Sequence, residues 1–426
     1  MLVRFEVKNF RSISDTVELS MVAVDKDRAA ARDVPNIGES VLTRAAIYGP
    51  NASGKSNVLA AFVWLVDAVR NSLRMWQGAV PVEPFAFAEG RDKPTEFTVD
   101  FVVDGVRFEY TLEVTSTAIR RERLYHYPQK KPRKIFERAG TDVTMNRALG
   151  SVGPFLELLT PSTLLVSLAR RFEVPEASAF ADALTATMAF GKLPNPRPWL
   201  GLTRIEVQQS PRSTVRLFDS ERDEQDAVSE SELADERAQA LALLRLADLG
   251  VDDVVIERET IWGDTRVGTP GTEPRPRMVH RTATGNAMLD LHQESEGTQT
   301  WFALIGPVIQ SLRQGSPIIF DELDASLHPV LSAELLRLFQ DTSTNPRGAQ
   351  LIFTSYDTSL LNHLNRDEVW LTQKRPDGST ELGAIAEFAG ERVRRSANIE
   401  SAYLHGQYGA LPDIDPAELR NLGLIG

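Results

Sequence analysis

Residues 49–56 read Gly49-Pro50-Asn51-Ala52-Ser53-Gly54-Lys55-Ser56 and fit the pattern G-x-x-x-x-G-K-[ST] at every fixed position. The apolar run at 45–48 predicts a buried strand before this loop, and the spacing of apolar residues over 58–69 predicts an amphipathic helix after it. A strand, a glycine loop and a helix are the context in which this pattern surrounds a phosphate chain. The sequence therefore predicts a nucleotide phosphate site at this loop.

The fixed positions of the loop have physical roles in phosphate binding. Gly49 and Gly54 let the backbone curl with its N–H groups directed inward, and the helix N-terminus adds the positive end of its dipole. We expect Lys55 to reach the outer phosphates and Ser56 to hold Mg²⁺. The residues expected to contact ATP at the loop are Gly49, Pro50, Asn51, Ala52, Ser53, Gly54, Lys55, Ser56 and Asn57.

A second chemical centre lies at residues 317–324, where an apolar strand ends in Asp321 and Glu322. At such a position the first carboxylate can hold Mg²⁺ through water, and the second can polarise an attacking water. Adjacent acids after a strand are common on any surface, but together with the glycine loop they favour a nucleotide site. Further apolar runs at 349–357 and 368–371 predict more strands of a parallel sheet covered by helices, as in P-loop nucleotidases.

The composition limits the class of protein. The chain has 426 residues, 42% of them hydrophobic, so it can bury a sizeable core and is long enough for about two to three domains. It contains no cysteine, which excludes disulfides and thiolate metal sites. Because no signal-peptide core or membrane-spanning run is present, we expect a cytoplasmic protein without a membrane partner. The net charge of −12 argues against a general nucleic-acid coat.

The first part of the chain predicts antiparallel strands. Alternating residues over 2–7 and 16–22 predict two strands joined by a turn, and the polar residues 24–40 predict a loop. Alternating runs at 97–103 and 106–114 flank Asp104-Gly105, which is the strongest short hairpin signal.

Positive charge is concentrated at residues 120–138, which contain eight Lys or Arg residues interleaved with Tyr125, His126 and Tyr127. Positive charge combined with aromatic rings can bind phosphates and stack bases, so nucleic-acid binding is one interpretation of this segment. A solvated hairpin tip is the other. Residues from about 150 to 250 are helical in character without sustained heptads, and the acidic run at 219–237 is typical of a solvated segment.

Four motifs follow one another along the chain. They are Asn9-Phe10-Arg11-Ser12, the loop at 49–56, Ser295-Glu296-Gly297-Thr298, and Asp321-Glu322-Leu323-Asp324-Ala325-Ser326-Leu327-His328-Pro329. Their order resembles the ABC-type ATPases of the RecF, SMC and OLD group. The closing stretch 397–412 adds a resemblance to the stand-alone ATPases of bacterial abortive-infection and other phage-defence operons, such as RloA.

This resemblance implies an α/β fold, a P-loop NTPase of ABC-ATPase type with an N-terminal antiparallel β subsheet and a helical insertion. The corresponding domains are an N-terminal ATPase lobe at 1–148 with the glycine loop and the β-hairpins, a helical insertion at 149–250, and a C-terminal ATPase lobe at 251–426. The implied cofactors are ATP and Mg²⁺.

The resemblance also implies roles for single residues. Glu322 is the catalytic base, with Lys55 acting on the phosphates, and Asp321 and Ser56 are the metal ligands. Ser295 and Gly297 contact the γ-phosphate held by an opposite protomer, which gives a head-to-tail homodimer or higher homo-oligomer. The resemblance implies that Asp324 lies at the interface between the protomers. It also implies that Arg11 lies beside the nucleotide, although an arginine in a bend is by itself more often a solvated surface residue.

Two departures from the family pattern bear on turnover. The position at which ABC ATPases place a switch histidine is Tyr356, and a phenol cannot take the positive charge that an imidazole takes near neutral pH. No glutamine near the first hairpin matches a Q-loop. We therefore expect slow hydrolysis, with ATP acting more as a clamp than as fuel.

Two functions remain open from the sequence. The first is a sensor or scaffold ATPase in phage defence that controls a separately encoded effector, for which a nuclease is the expected type. The second is a RecF-like ATPase that binds DNA in repair or maintenance, with residues 120–138 as the contact. We expect no nuclease within this chain itself, because it has no clustered histidines and no second acidic cluster.

Overall fold

The computed structural model describes residues 1–409 apart from residues 27, 35, 77 and 130 and the segments 147–156, 194–211, 220–229, 248–249, 262–270 and 389–397. The first ten strands are β1 (Leu2–Lys8), β2 (Val17–Ser20), β3 (Ala31–Val34), β4 (Glu39–Leu42), β5 (Arg44–Tyr48), β6 (Thr95–Val103), β7 (Val106–Val114), β8 (Ile119–Tyr127), β9 (Arg133–Ala139) and β10 (Asp142–Met145). The others are β11 (Met188–Gly191), β12 (Val251–Ile261), β13 (Gly271–Thr282), β14 (Gly285–Asp290), β15 (Pro317–Asp321), β16 (Gln350–Thr354), β17 (Val369–Lys374) and β18 (Thr380–Ala384).

The helices are α1 (Lys55–Met75), α2 (Leu165–Arg171), α3 (Pro175–Thr185), α4 (Arg212–Phe218), α5 (Glu230–Ala247), α6 (Glu296–Gln314), α7 (Leu323–Ser326), α8 (Pro329–Gln340), α9 (Ile385–Phe388) and α10 (Ile399–Leu404). Short 3₁₀ turns occupy Gly90–Asp92, Leu291–Gln293 and Thr358–His363. Among the described residues, no helix combines the length and the apolar character needed to cross a bilayer.

The nucleotide loop belongs to a six-stranded sheet with the order β11-β15-β16-β5-β17-β18. The strands from β11 to β17 in this order pair in parallel, and β18 pairs antiparallel at the edge. Every residue of β5, β15 and β16 is buried, as expected for parallel strands covered on both faces. Because β5 and β15 run in the same direction, residues 49–56 and Asp321 follow the same edge of the sheet. The predicted α/β fold is confirmed.

The predicted N-terminal antiparallel sheet is also present, with the order β10-β9-β8-β7-β6-β1-β2. β6 and β7 pair across the Asp104-Gly105 turn with Val103 opposite Val106, which confirms the hairpin. Helix α1 joins the two sheets, since one apolar core contains Val58 and Phe62 of α1 together with residues from both of them. Trp64 of α1 stacks on Phe97 of β6 with ring centroids 4.7 Å apart. The opposite face of the parallel sheet packs on a second core that includes α6 and α8.

The region 149–250 is helical in its described part but also contains β11, which the sequence analysis does not predict. β11 pairs in parallel with β15, with Gly191 opposite Asp321. The region is therefore not purely helical, because it supplies one strand of the sheet that carries the site. The exact division of the chain into three domains stays a prediction.

The structure also tests the predicted loop at 24–40 and describes part of the closing stretch and of the acidic run. The loop predicted at 24–40 is wrong in its second half, where β3 and β4 form an antiparallel hairpin. In the closing stretch, Tyr403 of α10 contacts Tyr48 of β5 with ring centroids 6.0 Å apart, so it packs beside the loop-bearing strand. Residues 220–229 of the acidic run and residues 397 and 410–412 of the closing stretch lie outside the described residues.

Candidate functional site

The glycine loop needs its glycines for both conformation and space. Gly49 has φ 147° and Gly54 has φ 109°, which are values that side chains rarely adopt. A Cβ at Gly49 would overlap Thr372 Oγ1, and a Cβ at Gly54 would overlap Thr380 Oγ1. The loop is therefore closed against β17 and the start of β18, and its backbone is fixed before α1 begins at Lys55.

Lys55 is held inside the loop that precedes it. Its Nζ donates hydrogen bonds to Gly49 O at 2.8 Å and Pro50 O at 3.1 Å, and it lies 3.8 Å from the ring centroid of Tyr356. Burial lowers the pKa of Lys55 to about 8, against the opposing effect of the carboxylates of Asp321, Glu322 and Asp324. The ammonium thus lies between the loop, an aromatic ring and three acids.

Ser56 and Asp321 meet at the end of the parallel sheet. Ser56 Oγ donates to Asp321 Oδ1 at 3.0 Å, and Thr354 Oγ1 donates to the same oxygen at 2.7 Å. Burial raises the pKa of Asp321, whereas these two hydroxyls favour its charged form. A serine hydroxyl beside a carboxylate fits Mg²⁺, because this ion takes one or two protein oxygens and completes its shell with phosphates and water. Among the described residues, no group of three or more His, Asp or Glu side chains offers a metal site made of protein alone.

Glu322 has a special backbone conformation directly after the strand. It has φ 55° in the left-handed region, and its N–H donates to Thr354 Oγ1 at 2.7 Å. Thr354 thus fixes both the Asp321 carboxylate and the Glu322 backbone. The Glu322 carboxylate is partly exposed and lies 3.5 Å from Lys192 Nζ. A partly exposed carboxylate that interacts electrostatically with Lys55 can act on a water molecule at this site.

Asp324 connects the acidic turn to the end of β16. Its Oδ1 accepts hydrogen bonds from Ser355 Oγ at 2.8 Å and from Tyr356 N at 3.0 Å. The predicted switch position Tyr356 is 44% exposed and is thereby tied to the same turn that carries Glu322. Asp324 is therefore hydrogen-bonded to the backbone of the residue whose ring lies over Lys55.

Hydroxyl residues that no motif singles out complete the loop. Thr372 Oγ1 lies 2.6 Å from Ser53 Oγ, and Thr380 Oγ1 donates to Ser53 O at 2.9 Å. Asn57 Nδ2 donates to Ser12 Oγ at 2.7 Å, so the described contact of this predicted ATP-binding residue is structural. The sequence carries no signal for these threonines, because they lie far away along the chain on ordinary strands.

Three predicted residues lie outside this cluster of contacts. Arg11 forms an ion pair with Glu83 at 2.9 Å, and its guanidinium carbon lies 5.3 Å from the centroid of the Phe10 ring. Ser295 caps the N-terminus of α6, where its Oγ accepts from Thr298 N at 3.1 Å. Ser295 is exposed and Gly297 is partly exposed, and a Cβ at Gly297 would meet only Ser295 Oγ at 3.9 Å. This helix end therefore offers free space above Gly297.

The basic segment 120–138 forms strands β8 and β9, which pair antiparallel at one side of the seven-stranded sheet. Arg138 and Glu122 are buried, with 3.9 Å between Arg138 Nη1 and Glu122 Oε2. Glu137 lies 3.8 Å from Arg123 Nε and 3.3 Å from Lys134 Nζ. Part of the positive charge is thus used within the sheet itself. Residue 130 of this segment lies outside the described part of the chain.

A family model described as "AAA domain, putative AbiEii toxin, Type IV TA system" matches residues 44–362, about three quarters of the 426-residue chain. This span contains the glycine loop, Ser295 and the Asp321-Glu322 pair. No curated protein matches the chain in sequence.

Two solved structures of Smc heads are similar to the chain at low identity. One is titled "Crystal structure of the SmcHead bound to the C-winged helix domain of ScpA"; it has 13% identity and a TM-score of 0.41, and the match covers 90% of this chain and 97% of that one. The other is an Smc head domain with an extended coiled coil bound to the C-terminal domain of ScpA, derived from Pyrococcus furiosus. It has 14% identity and a TM-score of 0.40, with 90% of this chain and 96% of that chain covered.

Proposed function

This chain belongs to the AAA-domain family whose model matches residues 44–362, and from that premise we propose that it binds and hydrolyses ATP at residues 49–56. The observation that carries the proposal is the convergence of Lys55, Ser56, Asp321 and Glu322 at one edge of the parallel sheet. Phosphoryl transfer to water needs a cation, a hydroxyl, a buried carboxylate and a partly exposed carboxylate, and these four residues supply them in that order.

In the proposed mechanism each group has one task. Lys55 exchanges the carbonyls of Gly49 and Pro50 for the outer phosphate oxygens of ATP. Ser56 and Asp321 would hold Mg²⁺, which when bound would neutralise charge on the phosphates. Glu322 accepts a proton from water as the water oxygen attacks the γ-phosphorus and the bond to ADP breaks, which gives ADP and phosphate.

The proposed assembly is a head-to-tail homo-oligomer of at least two chains in the cytoplasm. Its support is the Ser295-Glu296-Gly297-Thr298 motif, in which Ser295 and Glu296 are exposed. The motif opens α6 as a helix N-terminus suited to an anion. In this arrangement one chain's Ser295 and Gly297 complete the site that another chain's loop begins, and Asp324 lies near the shared boundary. Arg11 is proposed as an outer residue of the nucleotide site.

For the biological role we propose a sensor or scaffold in phage defence that controls a separately encoded effector, with a nuclease as the expected type. The support is the motif resemblance to abortive-infection ATPases and a family description that names a toxin of a type IV toxin–antitoxin system. The RecF-like alternative depends on residues 120–138. The ion pairs of Arg123, Lys134 and Arg138 with acids of the same sheet reduce the charge offered to a phosphate backbone.

The test of the proposed reaction compares nucleotide binding with turnover. Glu322→Gln keeps the size and hydrogen bonding of the side chain but removes the base, so ATP should still bind while turnover falls by about two to four orders of magnitude. Lys55→Ala should instead lose ATP binding. Glu381→Gln, the same change at an exposed residue of β18 that pairs with Arg375, is the control and should leave both unchanged. Turnover at the parent rate in Glu322→Gln would show that the base is another group.

A further inference from the structure

Lys192 is the first residue after β11, the strand that the sequence analysis does not predict. β11 pairs with β15 with Gly191 opposite Asp321, so the residues that follow the two strands, Lys192 and Glu322, leave the sheet side by side. Lys192 Nζ lies 3.5 Å from Glu322 Oε2. A cation from the region 149–250 thus reaches the carboxylate that we assign as the base.

Gly191 explains how the lysine comes so near. It has φ 84°, and a Cβ at this position would overlap the carbonyl oxygen of Asp321. The end of β11 therefore lies against the backbone of Asp321 more closely than any residue with a side chain would allow. The backbone turn at Gly191 places the Lys192 side chain beside Glu322.

The pair is poorly suited to stabilising the fold. The Lys192 side chain is 54% exposed and the Glu322 side chain 28% exposed, and an ion pair in such contact with water adds little to stability. Because the carboxylate that Lys192 contacts is the proposed base, the position of the lysine points to a role in the reaction.

We propose that Lys192 is a positioning residue that orients the Glu322 carboxylate toward the attacking water. This inference rests on the proposed ATPase function and adds to it a residue outside every motif. Glu322 has a left-handed backbone and a partly exposed side chain, so a cation 3.5 Å from its carboxylate favours some directions of that carboxylate over others. Orientation of a reacting group is a large part of what a catalytic site supplies.

The experiment measures kcat, KM and ATP affinity for Lys192→Met and Lys192→Arg. Lys192→Met should lower kcat by about 10- to 100-fold, a part of the 10²–10⁴ that a positioned base contributes, while ATP affinity stays within about twofold. Lys192→Arg keeps the charge and should recover most of kcat. Lys8→Met is the matched control, because Lys8 forms a similarly exposed pair with Glu96 at 3.1 Å; it should leave kcat unchanged. Thermal unfolding of each variant shows whether the fold is intact.

A double-mutant cycle shows whether Lys192 acts through Glu322. In the Glu322→Gln background the residual rate should not fall further when Lys192→Met is added, because the base is already gone. Three results overturn the inference: an unchanged kcat in Lys192→Met, a parallel loss of ATP affinity and turnover, or equal effects of Lys192→Met in both backgrounds. A parent protein without ATP turnover overturns the proposed function and this inference with it, whereas these three results leave the proposed function standing.

Discussion

Lys55 of the glycine loop is in contact with Tyr356, the residue at the predicted switch position. The ammonium lies 3.8 Å from the ring centroid, a geometry that contributes about 0.5–2 kcal/mol depending on how far the pair is shielded from water. Two loop carbonyls share the same ammonium. In the proposed mechanism ATP replaces these partners with phosphate oxygens, and Tyr356 is in contact with the lysine that makes this exchange.

Tyr356 is the first residue at which this picture can be tested. Tyr356→His places a group that can carry a proton beside the γ-phosphate, and we expect kcat for ATP to rise. Tyr356→Phe is the matched control, because it keeps the ring over Lys55 and removes only the hydroxyl; its kcat should stay near that of the parent. The measurement is phosphate release under saturating ATP. A kcat that falls equally in both variants would mean that the residue does not act as a switch.

At the level of residues, the sequence predicts the groups that belong to contiguous motifs. Ser56 and Asp321 were expected to share one metal site, and the structure places their oxygens 3.0 Å apart. Thr354 and Lys192 were not expected, although both contact the same acidic turn. They could not be predicted because threonine and lysine are common residue types, and their proximity to the turn exists only once distant strands pair.

Strand β11 packs directly against the start of the acidic turn. Gly191→Ala combines an unfavourable φ with an overlap on the Asp321 carbonyl, so β11 has to shift away from β15. We expect a loss of about 2–4 kcal/mol in the free energy of unfolding, from left-handed strain and overpacking together, and reduced turnover. Urea denaturation and the ATPase rate are the measurements.

Gly78→Ala separates the two causes of that loss. Gly78 has nearly the same φ, 80°, but a Cβ there meets nothing within 4 Å. It should lose only about 1–2 kcal/mol, the strain term alone, and keep its turnover. Equal losses at both glycines would mean that the overlap with Asp321 is not what Gly191 avoids.

Strand β5 is fixed at the end opposite the nucleotide loop by a buried ion pair. Arg44 and Glu368 are 1% and 0% exposed, and Glu368 Oε2 also accepts from Arg28 at 2.8 Å. Glu368→Gln leaves buried arginine charge without its counter-ion and should destabilise the fold by about 3–5 kcal/mol. The same change at the exposed Glu381 should alter stability by less than about 1 kcal/mol. Thermal and urea unfolding of both variants measure the difference, and a similar small effect at the two sites would contradict it.

At the level of elements, strands and helices with a strong local sequence pattern are predicted, and those with a weak pattern are missed. The β6–β7 hairpin follows from its alternation and its Asp-Gly turn, and α1 follows from its apolar spacing. By contrast, β11 has only the four residues Met188–Gly191, too short for a periodic signal, and it is stabilised by pairing with β15. The β3–β4 hairpin is predicted as a loop because its two strands have only four residues each, and these mix polar with apolar side chains without a clear alternation.

In the molecule as a whole, the predicted nucleotide-binding groups lie at two places. One is the edge of the parallel sheet that carries the glycine loop, and the other is the N-terminus of α6. Lys55, Asp321 and Glu322 belong to one cluster of contacts, whereas Ser295 makes its hydrogen bonds to Thr298 at the helix cap. A group that stabilises a γ-phosphate has to touch it, so an exposed motif of this kind is useful when it faces the loop of another chain. This difference in described contacts supports the proposed oligomer.

Ser295→Arg is the test of the assembly, because the larger side chain fills the space at the helix cap but leaves the chain's own loop untouched. ATP should bind with parent affinity while turnover is lost. Lys55→Ala binds no ATP but keeps its own Ser295. When Ser295→Arg and Lys55→Ala are mixed, the two inactive variants should recover activity. With random pairing about a quarter of all sites then join an intact loop to an intact Ser295, and roughly that fraction of the parent rate should return. Mixtures that stay inactive, or a parent rate per chain that is independent of protein concentration down to the monomer, would show that one chain is sufficient.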